Sequence, residues 1–171
     1  MDGKIGSQKS SNSSNEPASP HQRLNPEGLA PGIGFSHVVV TQPGKTLYLG
    51  GQTAQLPDGS IGADDLVEQF DLSLKNLCIA LEAAGAKPEH LVSLQVFVVS
   101  AEEYTSRLKE LGSIWKKHFG RNYPAMALFE INRLYDKRAK IELMPIAVVP
   151  PKSIPPTSSP SISSITQQES K

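Results

Sequence analysis

The stretch "LVSLQVFVVS", residues 91–100, decides the fold. Its apolar side chains fill nearly every position, where a half-buried strand would alternate apolar with polar residues. A short continuous apolar run rich in Val, Leu and Phe is typical of a strand buried in the middle of a sheet. We therefore expect residues 91–99 to form the central strand, with apolar side chains on both of its faces.

Amphipathic helices are predicted on both sides of this strand. Before it, "DDLVEQFDLSLKNLCIALEAAG", residues 64–85, repeats apolar side chains every three or four positions, with acidic residues in its first turn and Gly85 as a stop signal. After it, Ser100 and Glu103 match a capping box, and a second helix follows that ends at Gly120. The apolar positions of that second helix are Tyr104, Leu108, Leu111, Trp115 and Phe119.

Four further runs complete the predicted sheet. "SHVVVTQ" (36–42) and "KTLYLGG" (45–51) are separated by Pro43-Gly44, which predicts a hairpin. "AMALFEIN" (125–132) and "AKIELMPIAVV" (139–149) predict two more strands. The order β-β-α-β-α-β-β indicates an α+β fold with two helices on one face of the sheet.

The opposite face of this sheet is also apolar in the sequence. Residues 91–99 and 141–149 carry large apolar side chains at both odd and even positions. Two helices cover one face only, and a large exposed apolar patch is unfavourable for a soluble monomer. The sequence therefore predicts a homo-oligomer in which sheets pack on one another.

Composition places the folded domain between two tails. Residues 1–28 are rich in Ser, Asn and Pro, and residues 150–171 are rich in Pro and Ser. Such segments bury too little apolar surface to offset the entropy lost on ordering. We expect a disordered N-terminal tail at 1–28, a folded domain at 29–149 and a disordered C-terminal tail at 150–171.

Charge and cysteine content argue against several functional classes. The formal net charge is zero, with 17 basic and 17 acidic residues, and this balance does not favour nucleic acid as a partner. Cys78 is the single cysteine, and no spacing of His, Cys and carboxylates suggests a metal site. No apolar run reaches membrane-spanning length. We expect a cytoplasmic protein that needs no metal or cofactor.

Several motifs in order resemble the reactive-intermediate deaminase family, known as RidA or YjgF. They are "LYLGGQTA", "LKNLCIALEAAGA", "VSLQVFVV", "HFGRNYPAMALFEINRL" and "KIELMPIAVV". This resemblance implies a chorismate-mutase-like fold and a homotrimer, with its sheets packed inside and clefts between subunits. It also implies hydrolysis of reactive imines and enamines, such as 2-iminobutanoate, without a cofactor.

The sequence departs from the family where the resemblance places the site. Met126 stands in place of an Arg that would grip the substrate carboxylate, and Met144 in place of a Glu in the last strand. Glu142 is assigned to the opposite face of that strand. Phe35 replaces a Tyr, and Gly50 replaces a Ser before Gly-Gln. Residues expected to line the ligand site are Phe35, Gly50, Gly51, Met126, Leu128 and Met144.

Three polar residues are candidates for catalysis. His37 could act as an acid or a base, as a histidine beside a cleft can, or it could be a hydrogen-bonded structural group. Arg121 could supply a relocated carboxylate clamp, or it could be a solvated loop charge. Glu130 is predicted on the same strand face as Met126 and Leu128, and its alternative role is to pair with a neighbouring Lys or Arg.

The sequence leaves several functions open. The leading one is a trimer that binds a less polar small molecule in its clefts, either as a binding protein or as a hydrolase or isomerase. Its substrate would be an imine, enamine or unsaturated carbonyl compound other than simple 2-imino acids. The second is a conventional 2-iminobutanoate/2-iminopropanoate deaminase that uses Arg121. The third is a ribonuclease or translation inhibitor, and the fourth is a scaffold whose tails bind partners through "PPKSIPPTSSP".

Overall fold

The computed structural model describes residues 18–151. Its strands are β1 (Gln22–Leu24), β2 (Val38–Val40), β3 (Lys45–Tyr48), β4 (Leu91–Val98), β5 (Ala125–Glu130) and β6 (Ile141–Val149). Its α-helices are α1 (Leu66–Ala83), α2 (Ala101–Ser106) and α3 (Leu108–Phe119), and a 3₁₀ turn, Pro88–His90, precedes β4. The first 17 residues and residues 152–171, which include most of both predicted tails, lie outside the described part.

The main sheet has the strand order β3-β6-β4-β5. Strands β4 and β5 are parallel, while β6 is antiparallel to both of its neighbours. Helices α1 and α3 pack on one face, where alternate β4 side chains are almost fully buried: Leu94, Val96 and Val98. The predicted α+β fold, with its helices on one face, is confirmed.

Local signals explain where the helices begin and end. The Asp65 carboxylate caps α1 by accepting from the N–H groups of Val67 (2.8 Å) and Glu68 (3.2 Å). Beyond α1, Gly85 adopts φ +72°, a left-handed conformation that glycine tolerates best. The Ser100 hydroxyl caps α2 by accepting from the N–H of Glu103, as the sequence predicted.

The second predicted helix is interrupted at Arg107. This residue is the C-cap of α2 and the N-cap of α3, with φ −111° and ψ 15°. Its guanidinium donates to Asp65 at the start of α1 and to Glu110 one turn into α3. Helical periodicity continues across the break, and for this reason the sequence pattern does not show it.

The predicted hairpin across Pro43-Gly44 does not form. Strand β2 pairs with β1 in a separate two-stranded sheet, and β3 pairs with β6. At Gly44 the chain passes so close to Val149 that a Cβ would overlap the Val149 carbonyl. The glycine therefore permits a crossing between sheets, and a turn signal alone does not distinguish this crossing from a hairpin.

The boundary predicted for the N-terminal tail is wrong for residues 18–28. Gln22–Leu24 forms β1 against β2. His21 is 5% exposed; its Nε2 lies 2.8 Å from the Val148 carbonyl oxygen, and its Nδ1 accepts from the Gln42 N–H. Backbone pairing and one buried imidazole order this segment, so it needs little of the apolar burial on which the prediction depended.

The sheet face opposite the helices carries exposed apolar side chains. Tyr48 is 82% exposed, and Phe129 and Met144 are each 43% exposed. Register puts Phe97 beside Phe129 on this face, with their rings stacked at 5.4 Å. We call this surface the open face. Its apolar character is what the sequence analysis anticipated for an oligomer.

Candidate functional site

A cavity of about 710 Å³ lies between β5, α3 and the segment 33–35 that precedes β2. Aromatic and aliphatic side chains form most of its wall. Its lining comprises Ile33, Gly34, Phe35, Val96, Tyr104, Leu108, Lys109, Leu111, Gly112, Ser113, Trp115, Lys116, Tyr123, Met126, Ala127 and Leu128. A largely apolar pocket of this size with a few polar groups is typical of small-molecule sites.

Backbone pairing at the start of β5 brings Phe35 to this cavity. The Ser36 N–H donates to the Pro124 carbonyl (2.9 Å), and its hydroxyl donates to the Tyr123 carbonyl (2.8 Å). Ser36 also forms a parallel bridge with Ala125. Two of the residues that the resemblance assigns to the site, Phe35 and Met126, therefore line the same cavity within one chain.

The register of β5 decides which of its side chains face the cavity. Met126 lies opposite Leu94, and Leu128 opposite Val96, on the face that packs against the helices. Glu130 follows at the same two-residue spacing. The predicted shared face of Met126, Leu128 and Glu130 is therefore confirmed, and the first two of these residues line the cavity.

Met144 lies on the open face, away from this cavity. On β6, Ile141, Leu143 and Ala147 are buried towards the helices, whereas Met144 is exposed. Glu142 is two residues from Met144 and shares its face, so the assignment of these two residues to opposite faces was wrong. Side chains two apart on a strand point the same way.

The Gly50-Gly51 pair lies next to Glu142. Gln52 and Leu143 exchange backbone hydrogen bonds of 2.8 and 2.9 Å, which sets the preceding glycines beside β6. A Cβ on Gly51 would overlap the Glu142 carboxylate, whereas a Cβ on Gly50 would meet open space. Within one chain, neither glycine nor Met144 is part of the cavity lining.

The three candidate catalytic residues also lie outside the lining. His37 Nε2 is 2.7 Å from the Ala30 carbonyl oxygen, and its ring packs edge-on against Phe35. The Glu130 carboxylate accepts from the Ala101 N–H (2.8 Å) at the start of α2. Arg121 is exposed on the loop after α3. The contacts of His37 and Glu130 fit structural roles.

The model of the family described as endoribonuclease L-PSP matches residues 27–149. The chain belongs to this family, which is also the RidA or Rid family. A human protein named 2-iminobutanoate/2-iminopropanoate deaminase is 29% identical over 133 residues, covering 76% of this chain and 92% of the human protein. A deaminase of the same name from Salmonella typhimurium is 30% identical over 105 residues, covering 61% and 80%.

Solved structures of Rid proteins share the fold. YyfB from Yersinia pestis, described as a Rid-family protein of unknown function, has a TM-score of 0.69 and 30% identity, covering 75% of this chain and 98% of its own. A Mycobacterium tuberculosis member of the YjgF/YER057c/UK114 family has a TM-score of 0.51 and 26% identity, covering 68% and 88%. The chain is thus similar to Rid proteins over nearly their whole length.

Helix α3 supplies lining residues of this Rid protein that the sequence analysis did not assign to a site. Leu111 and Trp115 were predicted as apolar helix positions only, and Lys109 and Lys116 were not considered. One signal was available: Gly112 in mid-helix, where glycine costs about 1 kcal/mol relative to alanine. A Cβ there would meet nothing within 4 Å, because the cavity lies beside it.

Aromatic packing fixes the shape of the cavity wall. The Trp115 ring stacks on Phe119 at 4.8 Å and on Tyr123 at 5.8 Å. Burial raises the pKa of the Tyr104 phenol, so this group stays neutral near pH 7 and can donate a hydrogen bond. Stacked aromatic rings thus form the apolar part of the wall, and the Tyr104 phenol is one of its polar groups.

Within residues 18–151, no group of three or more His, Cys, Asp or Glu side chains could hold a metal ion. Over the same residues, no helix is long and apolar enough to cross a membrane.

Proposed function

We propose that this Rid-family chain binds a small molecule less polar than a simple 2-imino acid. It would act on that molecule either as a hydrolase of an imine or enamine or as an isomerase of an unsaturated carbonyl compound. The observation that carries the proposal is Met126 in the wall of the cavity, at the position where the resemblance places an arginine. A thioether offers a soft, adaptable apolar contact and no positive charge for a carboxylate.

The neighbours of Met126 support an apolar occupant. Phe35 keeps an aromatic ring without a hydroxyl, and Leu128 adds a branched aliphatic side chain on the same wall. A lost guanidinium–carboxylate contact removes about 1.5–3 kcal/mol, or about tenfold to a hundredfold in affinity. A compact keto-acid analogue would therefore bind weakly at this wall, while a larger apolar group would gain from its burial.

We also propose that the chain forms a cytoplasmic homotrimer whose open faces pack together. Exposed Tyr48, Phe129 and Met144 form an apolar surface that a second copy would bury. Met144 and the Gly50-Gly51 pair lie outside the cavity of their own chain. If they contribute to a cleft, they do so from a neighbouring subunit, as the resemblance implies.

A conventional deaminase with a relocated Arg121 clamp has weaker support. Arg121 is exposed and absent from the cavity lining. The printed names of the human and Salmonella relatives refer to 2-iminobutanoate and 2-iminopropanoate, but Met126 and Phe35 separate this chain from the site that the resemblance describes. The β5 wall therefore offers no guanidinium for the carboxylate of a small imino acid.

The test compares hydrolysis of two imines by the full-length chain: 2-iminobutanoate and the imine of phenylpyruvate, each generated in situ by an amino-acid oxidase. We expect acceleration for the larger imine and little for the smaller. Leu128→Trp, whose larger side chain would fill the cavity, should abolish hydrolysis of the larger imine. Ile79→Trp, on the exposed surface of α1, should leave this activity unchanged. Fast hydrolysis of 2-iminobutanoate, lost in Arg121→Ala, would establish the conventional deaminase instead.

The oligomer is tested separately by analytical ultracentrifugation. Wild type is expected to sediment as a trimer, and Phe129→Lys is expected to dissociate it because a charge would enter the apolar interface. A monomeric wild-type protein at micromolar concentration would contradict the assembly without affecting the cavity.

A further inference from the structure

Among residues 18–151, the cavity wall carries positive charge and no negative charge. Lys109 and Lys116 are its charged lining residues, and no Asp or Glu lines it. They are seven residues apart on α3, two helical turns, so both project from the same side of the helix. Among residues 18–151, no ion pair joins either ammonium group to a carboxylate.

Nearby carboxylates are committed to other partners. Lys117 follows Lys116 in sequence but projects from another side of α3. Its Nζ forms an ion pair with Asp71 Oδ1 at 2.9 Å. Glu110, adjacent to Lys109, pairs with Arg107. The acidic groups around α3 therefore neutralise other cations, and the positive charge that remains lies along the cavity.

The two walls of the cavity thus differ in chemistry. The β5 wall includes Met126 and Leu128, which have no charge. The α3 wall includes Lys109 and Lys116, whose flexible stems allow their ammonium groups to reach the cavity. Tyr104 also lines the cavity, and its phenol is a neutral donor near pH 7; burial only raises its pKa further above that pH. A ligand that matches both walls has an apolar body at β5 and an anionic group at α3.

We propose that the cavity recognises an organic acid with a bulky apolar body, and that Lys109 and Lys116 hold its anionic group. The anion then lies against α3, on the wall opposite the strand position that Met126 occupies, so the ligand is reversed relative to one gripped from β5. The inference rests on the proposed function only in taking this cavity as the binding site.

Three probes separate the contribution of the ligand's negative charge from that of its apolar body. They are 3-phenylpropanoate, which has both, 3-phenylpropanamide, which lacks the charge, and propanoate, which lacks the phenyl group. Binding to the full-length chain is measured by isothermal titration calorimetry at low and high salt. We expect 3-phenylpropanoate to bind about tenfold more tightly than either comparison, because the exposed ammonium groups each contribute modestly. Its affinity should fall as salt rises, while that of the amide stays constant.

Lysine variants assign the charge to individual residues. Lys109→Met and Lys116→Met keep the apolar stem and are each expected to weaken 3-phenylpropanoate about two- to fivefold, and the double variant about tenfold. Binding of the amide should not change. Lys75→Met, on the exposed surface of α1 and outside the lining, is the matched control and should bind like wild type.

The possible results distinguish this inference from the proposed function. Equal affinity for acid and amide, unchanged in the double variant, would refute the anion site while leaving an apolar site intact. Equal affinity for propanoate and 3-phenylpropanoate would refute the claim that the β5 wall binds an apolar body of the ligand. No measurable binding of either aromatic probe, together with Leu128→Trp hydrolysing the larger imine like wild type, would overturn both.

Discussion

Replacing Gln69 with Met should destabilise the domain because three backbone groups lose their hydrogen bonds to the Gln69 side chain. Gln69 is fully buried in α1. Its side-chain amide donates to the carbonyls of Ala63 (2.9 Å) and Arg138 (2.8 Å), and its carbonyl oxygen accepts from the Lys140 N–H (2.7 Å). These bonds join the start of α1 to the segment that leads into β6. Met has nearly the same length and no polar atoms.

The magnitude follows from the bonds that are lost. Each neutral hydrogen bond contributes about 0.5–1.5 kcal/mol, so three amount to about 1.5–4.5 kcal/mol. The backbone partners are only partly buried, so water can replace some of these bonds, and the buried thioether recovers part of the loss. We expect unfolding free energy to fall by about 2–3 kcal/mol.

Urea denaturation at a fixed protomer concentration measures this loss, since the stability of an oligomer depends on concentration. Lys75→Met places the same side chain on the exposed surface of the same helix and should change stability by less than about 0.5 kcal/mol. A loss below about 1 kcal/mol for Gln69→Met would show that water satisfies all three groups, and would refute the structural role assigned to this amide.

Further predictions concern the site and its surroundings. Met126→Arg should tighten binding of 2-oxobutanoate about tenfold in calorimetry by restoring a guanidinium to the β5 wall, and no change would contradict the position assigned to residue 126. Gly51→Ala should cost about 0.5–1.5 kcal/mol in urea denaturation because the Glu142 carboxylate must leave its rotamer, whereas Gly50→Ala, facing open space, should be neutral or slightly stabilising. Partial burial acts to raise the pKa of Asp71, but hydrogen bonds from His118 and Lys117 hold that pKa below its usual value. A carboxylate with a lowered pKa stabilises the fold above its unfolded pKa of about 3.9, and this contribution disappears as pH falls through the folded value. Asp71→Asn should therefore cost up to about 1 kcal/mol at pH 6 and progressively less as pH falls below about 3.9. A cost that does not change over this pH range would assign the loss to packing.

Local chemistry in the sequence was sufficient for the helices and for the central part of the sheet. The 3.6-residue spacing across α1, Gly85 after it and the Ser100 cap depend on neighbours along the chain, and all three are found in the structure. The two apolar faces of β4 and β6 likewise predicted an open face. The two-residue period of a strand also places Glu142 on the same face as Met144. The predicted assignment of these residues to opposite faces was inconsistent with this period.

Only the tertiary structure decided which strands pair and which site residues meet. Strand β3 pairs with β6, about a hundred residues further along the chain, and β2 pairs with β1. Turn signals are local, whereas the choice of a strand partner depends on burial and register across the whole sheet. The same nonlocal packing brings Phe35 to Met126 and turns Met144 to the open face. It also places two lysines of α3 beside a cavity, where no carboxylate of residues 18–151 pairs with them. Sequence alone thus determined the family, the main helical segments and the central strands, while register and docking determined the site.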